Sequence, residues 1–165
     1  MANKTITAPK GFLAAGVHCG VKKSTKPDLA LLACPAGAKA AAVFTTNKIF
    51  GAAVTVSRKH DKSGSIEAVV VNSGNANACT GQLGIKNAIK MCTETARQIK
   101  TEPHRVLVAS TGIIGEQLPM GKITKGISKA TAKLSASASA GLDFAKAIMT
   151  TRRRSEEHTS ELQSR

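Results

Sequence analysis

The sequence predicts an α/β domain, a mixed α+β layered sandwich, and three observations indicate this class. The chain has 165 residues, of which 42% are hydrophobic, which is enough for one packed core and marginal for two. Short apolar runs bounded by glycine, proline and small polar residues, which are typical of strands, cluster in the first half. Helical periodicity appears only in the second half, where it alternates with a further strand.

The first half is predicted to contain five strands. The first begins at Pro9, and its glycines could indicate a phosphate loop. They match neither GxxxxGK[ST] nor GxGxxG, so this signal is weak and a bent edge strand is expected instead. The others are predicted at residues 27–34, 40–46, 52–59 and 66–74. A hairpin-like turn, PAGAK, separates the second from the third, and the alternating run at 52–59 predicts a half-exposed strand.

The second half predicts three helices and one strand. A stripe at helical spacing marks the first helix, with inward residues Ile85, Ile89, Cys92, Ala96 and Ile99. Residues 105–109 are a strand, and a second helix follows with inward residues Ile123, Ile127, Ala130 and Leu134. Residues 135–141, SASASAG, predict a linker or loop, and residues 142–151 a short helix with inward residues Leu142, Ala145, Ile148 and Met149.

Charge and composition narrow the classes of function. The formal net charge of +14 suggests a nucleic-acid-binding module as an alternative function, but the lysines are scattered. The four aromatic residues, all Phe, offer no series of stacking platforms, which argues against that alternative. Four cysteines without CxxC spacing predict reduced, buried thiols and no metal site. Without a signal sequence or an 18-residue apolar stretch, a cytoplasmic protein with no membrane contact is expected.

Two strands end in similar corners. Residues 72–81, NSGNANACTG, are here called the asparagine corner, and residues 110–115, STGIIG, the threonine corner. Each is a small polar loop between an apolar strand and a helix, a position at which ligands often bind. The alternative for the threonine corner is a helix-entry turn in which Ser110 or Thr111 acts as the cap.

The last residues differ in character from the rest. Residues 152–165, RRRSEEHTSELQSR, lack apolar periodicity and resemble the translation of a sequencing-library adapter. We therefore expect a domain at residues 1–151 followed by a non-native or disordered tail at 152–165.

Five segments in order carry a family resemblance: PKGFLAAGVHCGVKKSTKPDLALLAC, AAVFTTN, AVVVNSGNANACTG, STGIIGEQLPMGKI and AIMTT. Together they resemble, over residues 6–151, the N-terminal α segment of the ornithine acetyltransferase family, the bifunctional glutamate N-acetyltransferases of arginine biosynthesis. The resemblance implies the self-cleaving, DmpA-like fold of these enzymes. Related self-cleaving aminopeptidases remain an alternative within this fold, although they lack these corner motifs.

The resemblance implies a mechanism. The precursor cuts itself before a threonine, which becomes the N-terminal nucleophile of the β segment and carries acetyl from N-acetylornithine to glutamate by a ping-pong route. Acetyl-CoA is an alternative donor in some members, and no metal or organic cofactor is implied. The implied partners are the β segment and then a heterotetramer of two α and two β segments.

The resemblance also implies site residues. The Thr111 hydroxyl and the Gly112 N–H would form the oxyanion hole, and Thr150 and Thr151 would bind substrate, without indicating which of the two makes the contact. Asn72, Asn75 and Asn77 either bind a ligand carboxylate or brace their loop, and bracing is favoured. Lys22 and Lys23 are expected to be solvated. The family's cleavage sequence is absent, and the Ala-Thr pair at Ala130-Thr131 is not a credible cut site because it lies in a helical pattern. The chain is therefore expected to be inactive alone. It is also expected to aggregate or fold poorly without the β segment.

Overall fold

The computed structural model describes residues 5–150 and contains a four-stranded sheet with helices on both faces. Its strands, which lie side by side in chain order, are β1 (Leu13–Val17), β2 (Leu29–Ala38), β3 (Ile66–Asn75) and β4 (Val106–Ile113). Its α-helices are α1 (Ala52–His60), α2 (Gly81–Ile99), α3 (Met120–Thr131) and α4 (Ala138–Ile148). Two 3-10 turns lie at Asp61–Ser63 and Pro103–Arg105.

The pairing of the strands brings the two corners together. β1 with β2 and β2 with β3 are antiparallel, whereas β3 and β4 are parallel and connected through α2. In the parallel pair Ser73 lies opposite Thr111 and Gly74 opposite Gly112. Because parallel strands end at the same edge of a sheet, the asparagine and threonine corners are direct neighbours.

The helices form two layers, as the predicted layered class requires. Helices α1, α2 and α3 cover one face and form the main core with its largest fully buried side chains, Leu29, Leu31, Met91, Ile123 and Ile127. Helix α4 covers the opposite face, where a smaller core contains Ala14, Ala30, Phe144 and Ala147. The inward stripe of α3 is confirmed for Ile123, Ile127 and Ala130, each fully buried.

The prediction of a strand at residues 52–59 is wrong, because this segment is helix α1. Its buried residues, Ala52, Ala53, Val56 and Ser57, follow a helical spacing that the accidental alternation of AAVTV obscured. The Ser57 hydroxyl donates to the Val108 carbonyl at 2.7 Å and accepts from the Val108 N–H at 2.9 Å. Helix α1 therefore occupies the outer edge of β4.

The predicted strand at residues 40–46 is also absent. Most of this segment is exposed, Val43 fully, and only Phe44 within it is half-buried. The PAGAK turn does not form, because β2 continues past Pro35 to pair Ala38 with Ile66 beyond a register shift. The partner of β2 is therefore β3. The prediction of an edge strand after Pro9 is confirmed by β1, whose outer edge pairs through Ala14 with Ser135.

Two helices differ in detail from the prediction. Most of SASASAG is the first turn of α4, with the Ser137 hydroxyl accepting from the Ala140 N–H as N-cap. All four residues predicted to face inward from α4 are exposed, and the buried ones are Ala140, Gly141, Phe144 and Ala147. In α2, Ile89 is exposed, because the buried face is centred on Ala88, Met91, Cys92 and Thr95.

The thiol prediction holds only in part. All four cysteines are free, but Cys79 is exposed and Cys19 is half-buried. Burial raises the pKa of Cys92 to about 12, so this thiol is inert at neutral pH. Along residues 5–150, no helix combines the length and the apolar character that crossing a membrane requires.

Candidate active site at the ends of β3 and β4

The threonine corner approaches its neighbour so closely that only glycine fits at residue 112. Gly112 has a φ of +139°, and a Cβ there would lie within 2.7 Å of the Gly74 carbonyl oxygen and collide with other backbone atoms of that strand. Thr111 is half-buried and Gly112 is exposed. The corner therefore presents a hydroxyl and a main-chain segment on a rigid strand end.

The asparagine corner directs its polar groups inward. Asn75 donates from Nδ2 to the carbonyls of Glu116 and Gln117, and its Oδ1 accepts from the Asn77 N–H at 2.8 Å. Asn77, fully buried, donates to the Gly84 carbonyl at 2.9 Å and accepts from the Thr80 hydroxyl at 2.8 Å. These bonds support the bracing interpretation of the asparagines.

Asp28 organises the third segment of the site, residues 18–26, here called the lysine loop. Its fully buried carboxylate accepts from the N–H groups of Cys19 at 2.6 Å, Gly20 at 3.0 Å and Lys22 at 3.0 Å. Burial alone would raise the pKa of Asp28, but the hydrogen bonds from Cys19 and Lys22 outweigh it and hold that pKa below its ordinary value. The carboxylate is therefore a charged anchor for the loop.

The expectation that Lys22 and Lys23 are both solvated is wrong for Lys22. Its ammonium donates to the carbonyls of Pro27 at 2.9 Å and Met149 at 2.7 Å. Burial lowers the pKa of Lys22, although the nearby Asp28 carboxylate partly opposes this shift. Lys23, the next residue, is exposed.

The three segments and the end of α4 surround an open cavity of about 710 Å³. Three of the residues predicted for the site, Thr111, Gly112 and Thr150, line it together. Thr150 is exposed, and the helix end before it is held by the Ser73 hydroxyl, which donates to the Ala147 carbonyl at 2.5 Å. The fourth predicted residue, Thr151, lies outside the described residues.

Sequence analysis favoured a bracing role for Asn75 and solvated roles for Lys22 and Lys23, and it did not single out Glu116. Lys22, Lys23, Asn75 and Glu116 also contribute to the cavity. The available signal was Asp28, an acidic residue at the start of an apolar strand, because a buried carboxylate requires donors from a nearby segment. Glu116 gave no such signal, since it lies in an exposed connection before α3.

The fold belongs to a known structural class. It matches the crystal structure of the arginine biosynthesis bifunctional protein argJ from Bacillus halodurans with a TM-score of 0.88 and 40% identity, covering 93% of this chain and 79% of that one. It matches the structure of ornithine acetyltransferase complexed with ornithine from Mycobacterium tuberculosis with a TM-score of 0.88 and 36% identity, covering 93% and 82% of the two chains. The mixed α/β layers are therefore those of these two crystal structures.

Sequence comparison identifies the family. A model of the ArgJ family matches residues 13–164. The arginine biosynthesis bifunctional protein ArgJ of Caldanaerobacter subterraneus is 49% identical over 146 residues, covering 88% of this chain and 36% of that protein. A mitochondrial ArgJ of Lodderomyces elongisporus is 48% identical over 155 residues, covering 90% of this chain and 35% of that protein. The chain belongs to the ArgJ family, and it spans about a third of the length of these relatives.

Proposed function

We propose that this chain supplies the oxyanion hole of an acetyltransferase that moves acetyl from N-acetylornithine to glutamate in arginine biosynthesis. The observation that carries the proposal is the opening of the threonine corner onto a cavity that Thr150 also lines. A tetrahedral intermediate of acyl transfer needs donors fixed in advance around its negative oxygen. The Thr111 hydroxyl and the Gly112 N–H are the proposed donors.

The rigidity of the corner supports this role. The Gly112 backbone lies against Gly74, and Asn75 bonds to the Glu116 and Gln117 carbonyls beyond the corner. Donors that are fixed before the reaction cost no reorganisation when charge develops. A hydroxyl and an amide at the end of a paired strand satisfy this requirement better than groups on a free loop.

The nucleophile is proposed to reside outside this chain, on the β segment of the same precursor. The coverages support a cut precursor, because the matching solved chains are about half as long as the curated relatives. A threonine exposed by such a cut has its own α-amine as a base, and acyl transfer through it requires no metal or organic cofactor. We expect the 165-residue chain alone to be inactive, and the active form to be a heterotetramer of two α and two β segments.

The cavity suits small amino-acid substrates. Its volume of about 710 Å³ lies within the usual range for ligand pockets, and hydroxyl, ammonium and carboxylate groups line it. One solved relative is described as complexed with ornithine. We propose N-acetylornithine and glutamate as substrates and acetyl-CoA as a further donor. We also propose a cytoplasmic location, although one relative is named as a mitochondrial protein.

The test uses a chimera in which residues 6–150 replace the matching region of the Caldanaerobacter subterraneus relative. The chimera should transfer acetyl from N-acetylornithine to glutamate, whereas the isolated chain should not. Thr111→Val, which replaces the hydroxyl with a methyl group, should lower kcat by about 10²–10³. Thr111→Ser should retain activity within about tenfold, because it keeps the donor.

The control is Ile114→Ala at the same corner, where the side chain is 64% exposed, and this variant should match the parent chimera. Full activity of Thr111→Val would refute the oxyanion-hole assignment. Acetyl transfer by the isolated 165-residue chain would refute the division of the active site between two segments.

A further inference from the structure

Lys22 belongs to the lysine loop and contacts two of the other segments that surround the cavity, the asparagine corner and the end of α4. Its N–H donates to Asp28, the carboxylate that anchors the lysine loop. Its side chain lies so close to Gly74 that a Cβ there would be 3.0 Å from the Lys22 Cγ. Its ammonium donates to the Met149 carbonyl, immediately before Thr150. We propose that Lys22 is a positioning residue, which holds the end of α4 so that Thr150 faces Thr111 and Gly112.

The end of α4 requires such a contact. The helix ends at Ile148, and Met149 is already extended with φ −70° and ψ 136°. The last carbonyls of a helix have no partner within it, and a cation at that end is favourable. Ser73 bonds to Ala147 inside the last turn, whereas Lys22 bonds to the residue just beyond it. The two contacts together fix the direction in which the chain leaves the helix.

The two neighbouring lysines therefore have different roles. The Lys22 ammonium makes two hydrogen bonds to main-chain carbonyls, and its stem packs on β3. Lys23 lines the same cavity but is exposed to solvent. The cation of Lys22 is committed to the protein, so removal of its charge should move Thr150, whereas removal of the Lys23 charge should not.

The first experiment measures backbone ¹⁵N order parameters in the full 165-residue chain, so it does not depend on the proposed activity. Lys22→Met keeps most of the stem and removes the ammonium. The order parameters of Met149 and Thr150 should fall from near 0.85, the rigid range, to below about 0.6. They should be unchanged in Lys23→Met and largely restored in Lys22→Arg, which keeps a cationic donor.

The second experiment measures kinetics in the chimera described above, and it rests on the proposed function. Because Thr150 is proposed to bind the substrate in its ground state, Lys22→Met should raise KM about tenfold and change kcat less than about threefold. Lys26→Met, at an exposed lysine of the same loop outside the cavity lining, serves as the control for a general loss of positive charge. A lowered melting temperature without a change in KM would indicate a purely structural role and overturn the proposal.

The two proposals fail in distinguishable ways. If the parent chimera transfers no acetyl, the proposed function fails, while the order parameters still decide the role of Lys22. If Met149 and Thr150 remain equally ordered in Lys22→Met, the positioning role is refuted whatever the chimera does. If Lys22→Met and Lys26→Met raise KM equally, the effect is one of charge, and the proposal is likewise refuted.

Discussion

The asparagine and threonine corners have similar compositions but opposite arrangements. In the asparagine corner Asn75 and Asn77 direct their side chains into the protein, where main-chain and hydroxyl groups satisfy them. In the threonine corner Gly112, Ile113 and Ile114 are exposed. The asparagine corner therefore braces the structure from within. The threonine corner is exposed, and the asparagine corner packs against its inner side.

This difference shows that a small polar loop at a strand end is not by itself a binding site. A side chain that satisfies its neighbours is not available to a ligand, because releasing it leaves buried partners without hydrogen bonds. Substitutions in the asparagine corner should therefore lower stability. Substitutions of outward groups in the threonine corner should affect stability little.

The largest effect is expected where the two corners touch. Gly112→Ala should lower the free energy of unfolding by about 4 kcal/mol, because its Cβ would collide with main-chain atoms of Gly74 and Asn75 and its φ is positive. Urea unfolding of the 165-residue chain measures this. Gly115→Ala is the control, since its φ is also positive at +86° but its Cβ meets nothing within 4 Å. Equal losses in both variants would show that strain, not the close approach, dominates.

A smaller loss is expected inside the brace. Asn77→Ala should cost about 3 kcal/mol, because it leaves the Gly84 carbonyl and the Thr80 hydroxyl without their partner and places alanine at a φ of +48°. Thr111→Ala, the matched change in the threonine corner, should cost less than about 1 kcal/mol. Thermal or urea unfolding gives both values. A reversed order would contradict the contrast between the corners.

The smallest of the three losses concerns the anchor beside the brace. Asp28→Asn should cost about 2 kcal/mol at pH 7, because an amide replaces a carboxylate that accepts three N–H groups. The control is Asp143→Asn, a half-exposed residue paired with Lys146 at 3.8 Å, which should change stability by less than about 0.5 kcal/mol.

The same anchor predicts an acid dependence of stability. The pKa of Asp28 is lower in the folded protein than the ordinary 3.8. The ionised carboxylate therefore contributes fully to the free energy of unfolding above pH 3.8, and this contribution is lost as the pH falls through the folded pKa. The difference between the parent and Asp28→Asn should therefore narrow below about pH 3.8. Unfolding curves between pH 7 and pH 3 measure it, and a constant difference would show that Asp28 is not the titrating anchor.

The strands and helices that could be predicted are those whose periodicity comes from burial. β3, α2 and α3 were predicted because their apolar residues repeat along one face or a continuous run. Helix α1 was missed because its first four residues, AAVT, have small side chains that fit both a strand repeat and a helical repeat. The contact with β4 decides in favour of the helix. The path of β2 past Pro35 depends on pairing with Ile66, which lies far away in the sequence.

The site residues also divide into those that the sequence indicated and those that only distant contacts reveal. Thr111, Gly112 and Thr150 were indicated by family resemblance, and the cavity brings them together. The contact between Lys22 and Met149 joins residues 127 positions apart, and neither residue has a distinctive local pattern. Only the folded chain shows that Lys22 bonds to main-chain carbonyls, whereas Lys23 is exposed.

Both edges of the sheet are occupied midway by other parts of the chain. At β4 the Ser57 side chain bonds both main-chain groups of Val108, and at β1 the Ser135 main chain pairs with Ala14. An exposed strand edge is a template for strand exchange and fibril growth. Within residues 5–150, another strand could not pair with Val108 or Ala14 without displacing Ser57 or Ser135.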